Sequence, residues 1–225
     1  MNFNEIIEAT KSLLNPGKAE SYFSSQLPKA GWGPAIFNHG VVLGVNLILM
    51  VFRLIISVAL VGLIGTALGG LFGSALAGTS LMTGAINTVL AFVASIVLLF
   101  VLSGFLYLLS KLFGGKGTFV QQFYLQSVIG IGLLPVTLIL TIIGWIPCVS
   151  CLILPVFVIY ALYSLYLLYL SLKISHSLDG SKAIMVIVVY FIAIFVLVGL
   201  IVLALIIFNL GATIGLGSLS RLIGR

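Results

Sequence analysis

A chain of 225 residues that is 62% hydrophobic and only 6% charged is not built for water, because an ordinary soluble domain carries roughly a quarter charged residues. Its net charge of +6 would fit a nucleic-acid partner only if the Lys and Arg residues formed a patch. They are scattered singly at the ends of apolar stretches, which excludes nucleic acid as a partner and fits orientation in a bilayer.

The N-terminal segment, residues 1–35, is the only substantial polar stretch. Its first apolar residues are interleaved with Glu5, Glu8 and Lys11, so it is not a secretory signal. Asn4 is placed to cap a short helix whose Ile6, Ile7, Leu13 and Leu14 fall near one face, and Asn15-Pro16-Gly17 stops it. Such a helix is expected to lie on the membrane surface, apolar face down. Pro28 and the turn Gly31-Trp32-Gly33-Pro34 then lead into the bilayer, with Trp32 where an interfacial aromatic sits.

Beyond this point Leu54 to Ser110, Phe119 to Leu172 and Ala183 to Ser220 contain no charged residue. About 20 apolar residues cross a hydrocarbon core of about 30 Å, and these continuous Leu, Ile, Val and Phe runs lack the short alternating segments of a β-barrel. An all-α bundle of five transmembrane helices over residues 36–210 is expected. The first span runs from about Gly40 to Leu63. A Gly-rich stretch follows (Gly62, Gly65, Gly69, Gly70, Gly73, Gly78, Gly84), readable either as a loop or as a close-packing helix surface. The second span covers about Ala85 to Ser110, and Gly114-Gly115-Lys116-Gly117 is a loop signal.

The third span lies within about Val120 to Ile143 and carries Pro135, the fourth runs from about Ser150 to Leu172 and carries Pro155, and both prolines are expected to kink their helices. Trp145-Ile146-Pro147 is the short turn between them. The fifth span covers about Ala183 to Phe208, and residues 211–225 form a Gly/Ser-rich extracytoplasmic tail. With the N-terminus in the cytoplasm, seven Lys residues lie inside, Arg221 and Arg225 outside, and Arg53 in the membrane, which satisfies the positive-inside rule. An even number of spans would result if 35–52 and 54–72 were separate segments.

The stretch Gly114-Gly115-Lys116-Gly117-Thr118-Phe119-Val120-Gln121-Gln122-Phe123-Tyr124, the following Ser127 to Pro135 and the later Leu168 to Ala183 resemble the Yip family, the Rab/Ypt-interacting membrane proteins, and especially its prokaryotic members. The resemblance covers Gly114 to the fifth span in sequence and the first two spans in layout. It implies a cytoplasmic N-terminus, about five spans, a C-terminus on the far side, and the cell membrane of a prokaryote. The family's Asp-Leu-Tyr-Gly-Pro motif looks similar to Ala30-Gly31-Trp32-Gly33-Pro34, which keeps the aromatic-Gly-Pro core and loses the acidic residue. Its Gly-Tyr pair looks like Gly130-Ile131. The lost acidic residue is associated with Rab GTPase contacts, so its absence argues against a Rab-type GTPase as partner.

Chemistry-bearing residues are few, and no cofactor is expected. Arg53 costs at least about 2.5 to 3.5 kcal/mol near the bilayer centre. It should therefore face the bundle, either to hold an anionic group or to snorkel from a shifted span. Cys148 and Cys151 form a C-x-x-C that lacks the βαβ setting of a thiol redox motif, and His39 and His176 lie about 30 Å away across the membrane, too far to complete a metal site. His176 and Asp179, flanked by Lys173 and Lys182, read as a solvated turn with Ser181 capping the fifth helix rather than as a proton relay. Gly115-Lys116-Gly117-Thr118 lacks the upstream glycine spacing of a phosphate loop. Tyr160, Tyr163, Tyr166 and Tyr169 form a slowly drifting stripe suited to packing or to a subunit interface. Two functions remain open: a non-enzymatic membrane-organising or adaptor protein working through the N-terminal segment or as a homo-oligomer, and a small-solute or ion transporter or channel.

Overall fold

The computed structural model describes the backbone of residues 3–67, 71–146, 149 and 152–223, and the side chains of these except 3, 60–67, 71–81, 201 and 204–223. The fold is all helix among the described residues: α1 (Phe3–Leu13), α2 (Pro16–Gln26), a 3-10 turn (Leu27–Lys29), α3 (Trp32–Ala67), α4 (Leu71–Leu112), α5 (Phe119–Gly144), α6 (Leu154–His176) and α7 (Gly180–Ile223). Five stretches are long and apolar enough to cross a membrane: Trp32–Ala59, Met82–Leu112, Phe119–Gly144, Leu154–His176 and Gly180–Leu200. Helix α3 runs unbroken through Arg53, so the chain does not divide there into two spans.

Several boundaries differ from the sequence-based expectation for local reasons. Asn15-Pro16 does more than end α1. The Asn15 side chain accepts from the Gly17 N–H at 3.1 Å and Pro16 occupies the first turn, so the same residues start α2. Pro155 lies in the first turn of α6, where its missing N–H has no intrahelical partner to lose, and so it is a helix start rather than a kink. Helix α7 begins at Gly180, which places Ser181 inside it rather than at the cap, and it continues through the Gly/Ser-rich segment to Ile223. The glycine-rich stretch is helical up to Ala67 and from Leu71; Gly69 and Gly70 lie outside the described residues.

The bundle has a packed end, where α3, α5 and α7 begin and α4 and α6 finish. Two apolar clusters form there. One joins Leu13, Phe23, Ala35, Phe123, Leu125, Val128 and Leu167, and the other joins Leu106, Leu109, Leu172, Leu178, Ala183 and Val186. Helices α1 and α2 form a hairpin that inserts into this end, α1 against α5 and α2 against α6. Its tip reaches Gly132, where a Cβ would overlap Leu13 Cδ1, and Tyr163, whose hydroxyl donates to the Leu13 carbonyl. Gly132 lies roughly 20 Å along α5 from Phe119 at 1.5 Å per residue. Of the face expected to lie on the bilayer, Leu13 is fully buried and Ile6 and Ile7 are half-buried, while Leu14 stays 47% exposed, so protein covers part of that face instead.

Candidate functional site

The loop between α4 and α5 explains why glycines recur in Gly114-Gly115-Lys116-Gly117. A Cβ at Gly117 would overlap the Ser175 carbonyl, and one at Gly115 would come within 2.7 Å of the Ser110 carbonyl and 3.0 Å of His176 Nδ1. The loop backbone is pressed against the end of α6, and the Lys116 N–H donates to the His176 carbonyl at 2.9 Å. The Gly115 N–H donates to Ser110 O at the end of α4, so these amides close α4 and tie the loop to α6 rather than cradle a phosphate. Thr118 and Gln121 then form a reciprocal capping box that starts α5.

Behind this loop lies a buried polar chain. His176 is completely buried, contrary to the solvated turn expected from its serine-rich neighbours, because the loop folds over it. Its Nε2 sits 2.8 Å from Gln122 Oε1, the Gln122 amide donates to the Ser103 carbonyl at 3.0 Å, and the Ser103 hydroxyl donates to Gln126 Oε1 at 2.7 Å. On the α3 side Asn38 donates to Ser127 Oγ at 3.2 Å, and His39 Nε2 lies 3.2 Å from the Phe123 carbonyl. Each of these groups ties one helix to another where an unmatched polar atom would be costly. Sequence reasoning singled out His176 but missed Gln122, Ser103, Asn38 and Gln126. The available signal was two adjacent glutamines, Gln121 and Gln122, at the entrance to an apolar span.

The hairpin is held by polar contacts as well as by its apolar face. Lys173 Nζ pairs with Glu20 Oε1 at 2.7 Å, and the Tyr124 hydroxyl donates to Gln26 Oε1 at 3.1 Å. The tyrosine stripe on α6 serves different neighbours. Tyr160 meets Thr137 on α5 at 2.7 Å, Tyr163 meets the hairpin tip, and the Tyr169 hydroxyl abuts Gly180 at the start of α7. Gly130 packs toward Val42 of α3 while Gly132 admits Leu13, so two glycines two residues apart serve opposite faces of α5. Pro135 lies within α5, and its helix continues to Gly144.

Between the hairpin and α3 lies a groove of about 460 Å³ lined by Glu5, Glu8, Tyr22, Lys29, Gly33 and Pro34, among others. The Trp32 ring stands beside it, packed on Phe119 and Phe123 at 5.8 and 6.0 Å between centroids. Two carboxylates, Glu5 and Glu8, and one ammonium, Lys29, line the groove. Burial first, then Tyr124, Glu8 and Glu5, push the Tyr22 phenol up to about 12.

Arg53 is placed elsewhere and does not meet the expectation of burial. It is exposed, and it lines two open grooves beside the α3–α4 contact. The reason is a helix ending: α5 stops at Gly144 near Phe52, whose ring lies 6.0 Å from Trp145, and no longer covers α3 beyond that level. Cys148 and Cys151 lie outside the described residues. Among the described residues no group of three or more His, Cys, Asp and Glu side chains is arranged to hold a metal.

Comparison with curated proteins and with solved structures found no significant match to either. The Yip1 domain family model matches residues 10–203, and this span takes in the hairpin's α2, the glycine loop, the buried polar chain and all five apolar spans. The chain is a multi-pass membrane protein that belongs to the Yip1 domain family.

Proposed function

We propose that this protein is a non-enzymatic membrane-organising adaptor that captures a protein partner at the groove between its N-terminal hairpin and the start of α3, on the cytoplasmic side of a prokaryotic cell membrane. The observation that carries this reading is the groove itself, where the Glu5 and Glu8 side chains share walls with Gly33-Pro34. Acidic and aromatic walls at an accessible membrane edge suit a basic segment of a partner, because charge steers the encounter and ring faces accept aliphatic stems. Ion-coupled transport has less support: the described parts of the spans contain no acidic residue, and the grooves at Arg53 are open rather than enclosed.

Orientation follows the basic residues, with the N-terminus, Lys116 and Lys173 inside. In a cysteine-free background, Lys116→Cys should label only from inside and Ser218→Cys only from outside. The functional test places a photo-crosslinking residue at Phe37, beside the groove, and compares capture of partner proteins in cells with and without Glu5→Lys and Glu8→Lys. Loss of one discrete adduct on charge reversal is expected. Solute or ion flux in proteoliposomes that Arg53→Ala abolishes would instead establish the transporter reading.

A further inference from the structure

Arg53 is an exposed cation in an apolar part of the molecule, and among the described residues its guanidinium has no hydrogen-bond or ion-pair partner. Its neighbours make this more than a stray charge. On α3 the residues Asn46, Met50, Arg53 and Ser57 are spaced by four, three and four, which places them along one face of the helix. This face borders two grooves, of about 480 and about 260 Å³, and Arg53 lines both. Asn46 and Asn87 line one groove each, and their amides also lack partners among the described residues.

Of the hydroxyls around them, Ser57 donates to Arg53 O at 2.8 Å, Thr88 to Gly84 O at 2.8 Å and Ser95 to Phe92 O at 2.7 Å, while the Thr141 hydroxyl in the smaller groove has no partner among the described residues. What remains among the described residues is one guanidinium, two carboxamides and the Thr141 hydroxyl, a set rich in donors, and the described linings hold no carboxylate. Such a set calls for an anion with several acceptor oxygens. A planar guanidinium matches the paired oxygens of a phosphate especially well.

The surroundings indicate where the phosphate comes from. Phe52, Ile55, Ile86, Val89 and Leu90 are all exposed on the same stretch of α3 and α4, at 54%, 58%, 49%, 62% and 61%. Trp145, at the end of α5, forms part of the smaller groove, as a headgroup-level aromatic would. Acyl chains would lie along the exposed apolar faces while the headgroup reached in between. We infer that Arg53, Asn46 and Asn87 form a binding site for the phosphate of an anionic phospholipid, held laterally against the α3–α4 pair. This inference does not depend on the adaptor reading, because it concerns the opposite end of the bundle.

The test uses the full-length protein in an uncharged detergent, with native mass spectrometry after addition of phosphatidylglycerol, phosphatidylcholine or inorganic phosphate. Wild type should retain phosphatidylglycerol, and Arg53→Ala should weaken retention about tenfold or more, the loss expected from removing a charged hydrogen-bond donor. Arg53→Lys should recover part of it, and inorganic phosphate at millimolar concentration should not displace the lipid. Should Arg53→Ala fail to fold, the double variant Asn46→Ala/Asn87→Ala, which keeps the cation, should still reduce retention severalfold. Equal retention by wild type and a folded variant would overturn the site. Full displacement by inorganic phosphate would overturn the lipid assignment and leave a soluble anion as the ligand.

Discussion

The two ends of this bundle are built from equally apolar helices and are stabilised in different ways. At the packed end Leu125, Leu167, Leu172 and Val186 are fully buried, and polar side chains such as Gln122 and His176 are buried beside them with partners on other helices. Toward the other end, Ile48, Phe52, Val93 and Ile192 are more than half exposed, and Arg53 stands in an open groove. The difference teaches that hydropathy alone does not pack membrane helices, since lipid tails are as good a solvent for Leu as another helix is. Close approach comes instead from small residues and matched polar groups. The packed end has both, in Gly115, Gly117, Gly130 and Gly132 and in the chain running from His176 to Gln126.

The largest expected effect tests this contrast directly. Leu125→Ala, at a fully buried position, should cost about 2–5 kcal/mol in a reversible detergent unfolding assay. Ile192→Ala, 59% exposed toward lipid, should cost less than about 0.5 kcal/mol. Equal costs would break the comparison. Next comes Gly117→Ala, whose added Cβ meets backbone at Ser175 that cannot swing aside; it should cost about 1–3 kcal/mol by the same assay. An unchanged midpoint would show that the loop does not clamp α6.

Tyr163→Phe removes the hydroxyl that reaches the hairpin tip and should cost about 1 kcal/mol. Its signature is local: hydrogen exchange should accelerate in residues 4–26 and stay unchanged in α4. The last test is a titration. The Tyr22 phenol is raised from 10.0 to about 12 in the docked hairpin, so its neutral form is the one favoured by docking. The contribution is complete below pH 10 and is lost as pH rises toward 12. The difference in phenolate absorbance between wild type and Tyr22→Phe should have its midpoint near 12, and a midpoint near 10 would mean the hairpin is undocked.

Much of the architecture is legible in the residues alone. The charge-free runs define five spans, the N-terminal amphipathic pattern predicts α1, and Gly114 to Tyr124 carries a family resemblance that the match over 10–203 establishes. These features are local, because each depends on residues close together in the chain and on the length a helix needs to cross hydrocarbon. The partner of each helix face was not legible. The same apolar face carrying Ile6, Ile7 and Leu13 suits a bilayer surface or a protein groove equally well, and only Gly132 and Tyr163, far away in sequence, select the groove for Leu13. His176 sits among serines that read as solvated, and it is the approach of Gly115 and Gly117 that buries it. Arg53 should have been hidden by its cost in lipid, but the position at which α5 ends leaves it uncovered. Composition and periodicity determine that a segment is a helix and that it enters the membrane. Which face is covered, and by what, is set by contacts between distant residues, and only the tertiary structure decides those.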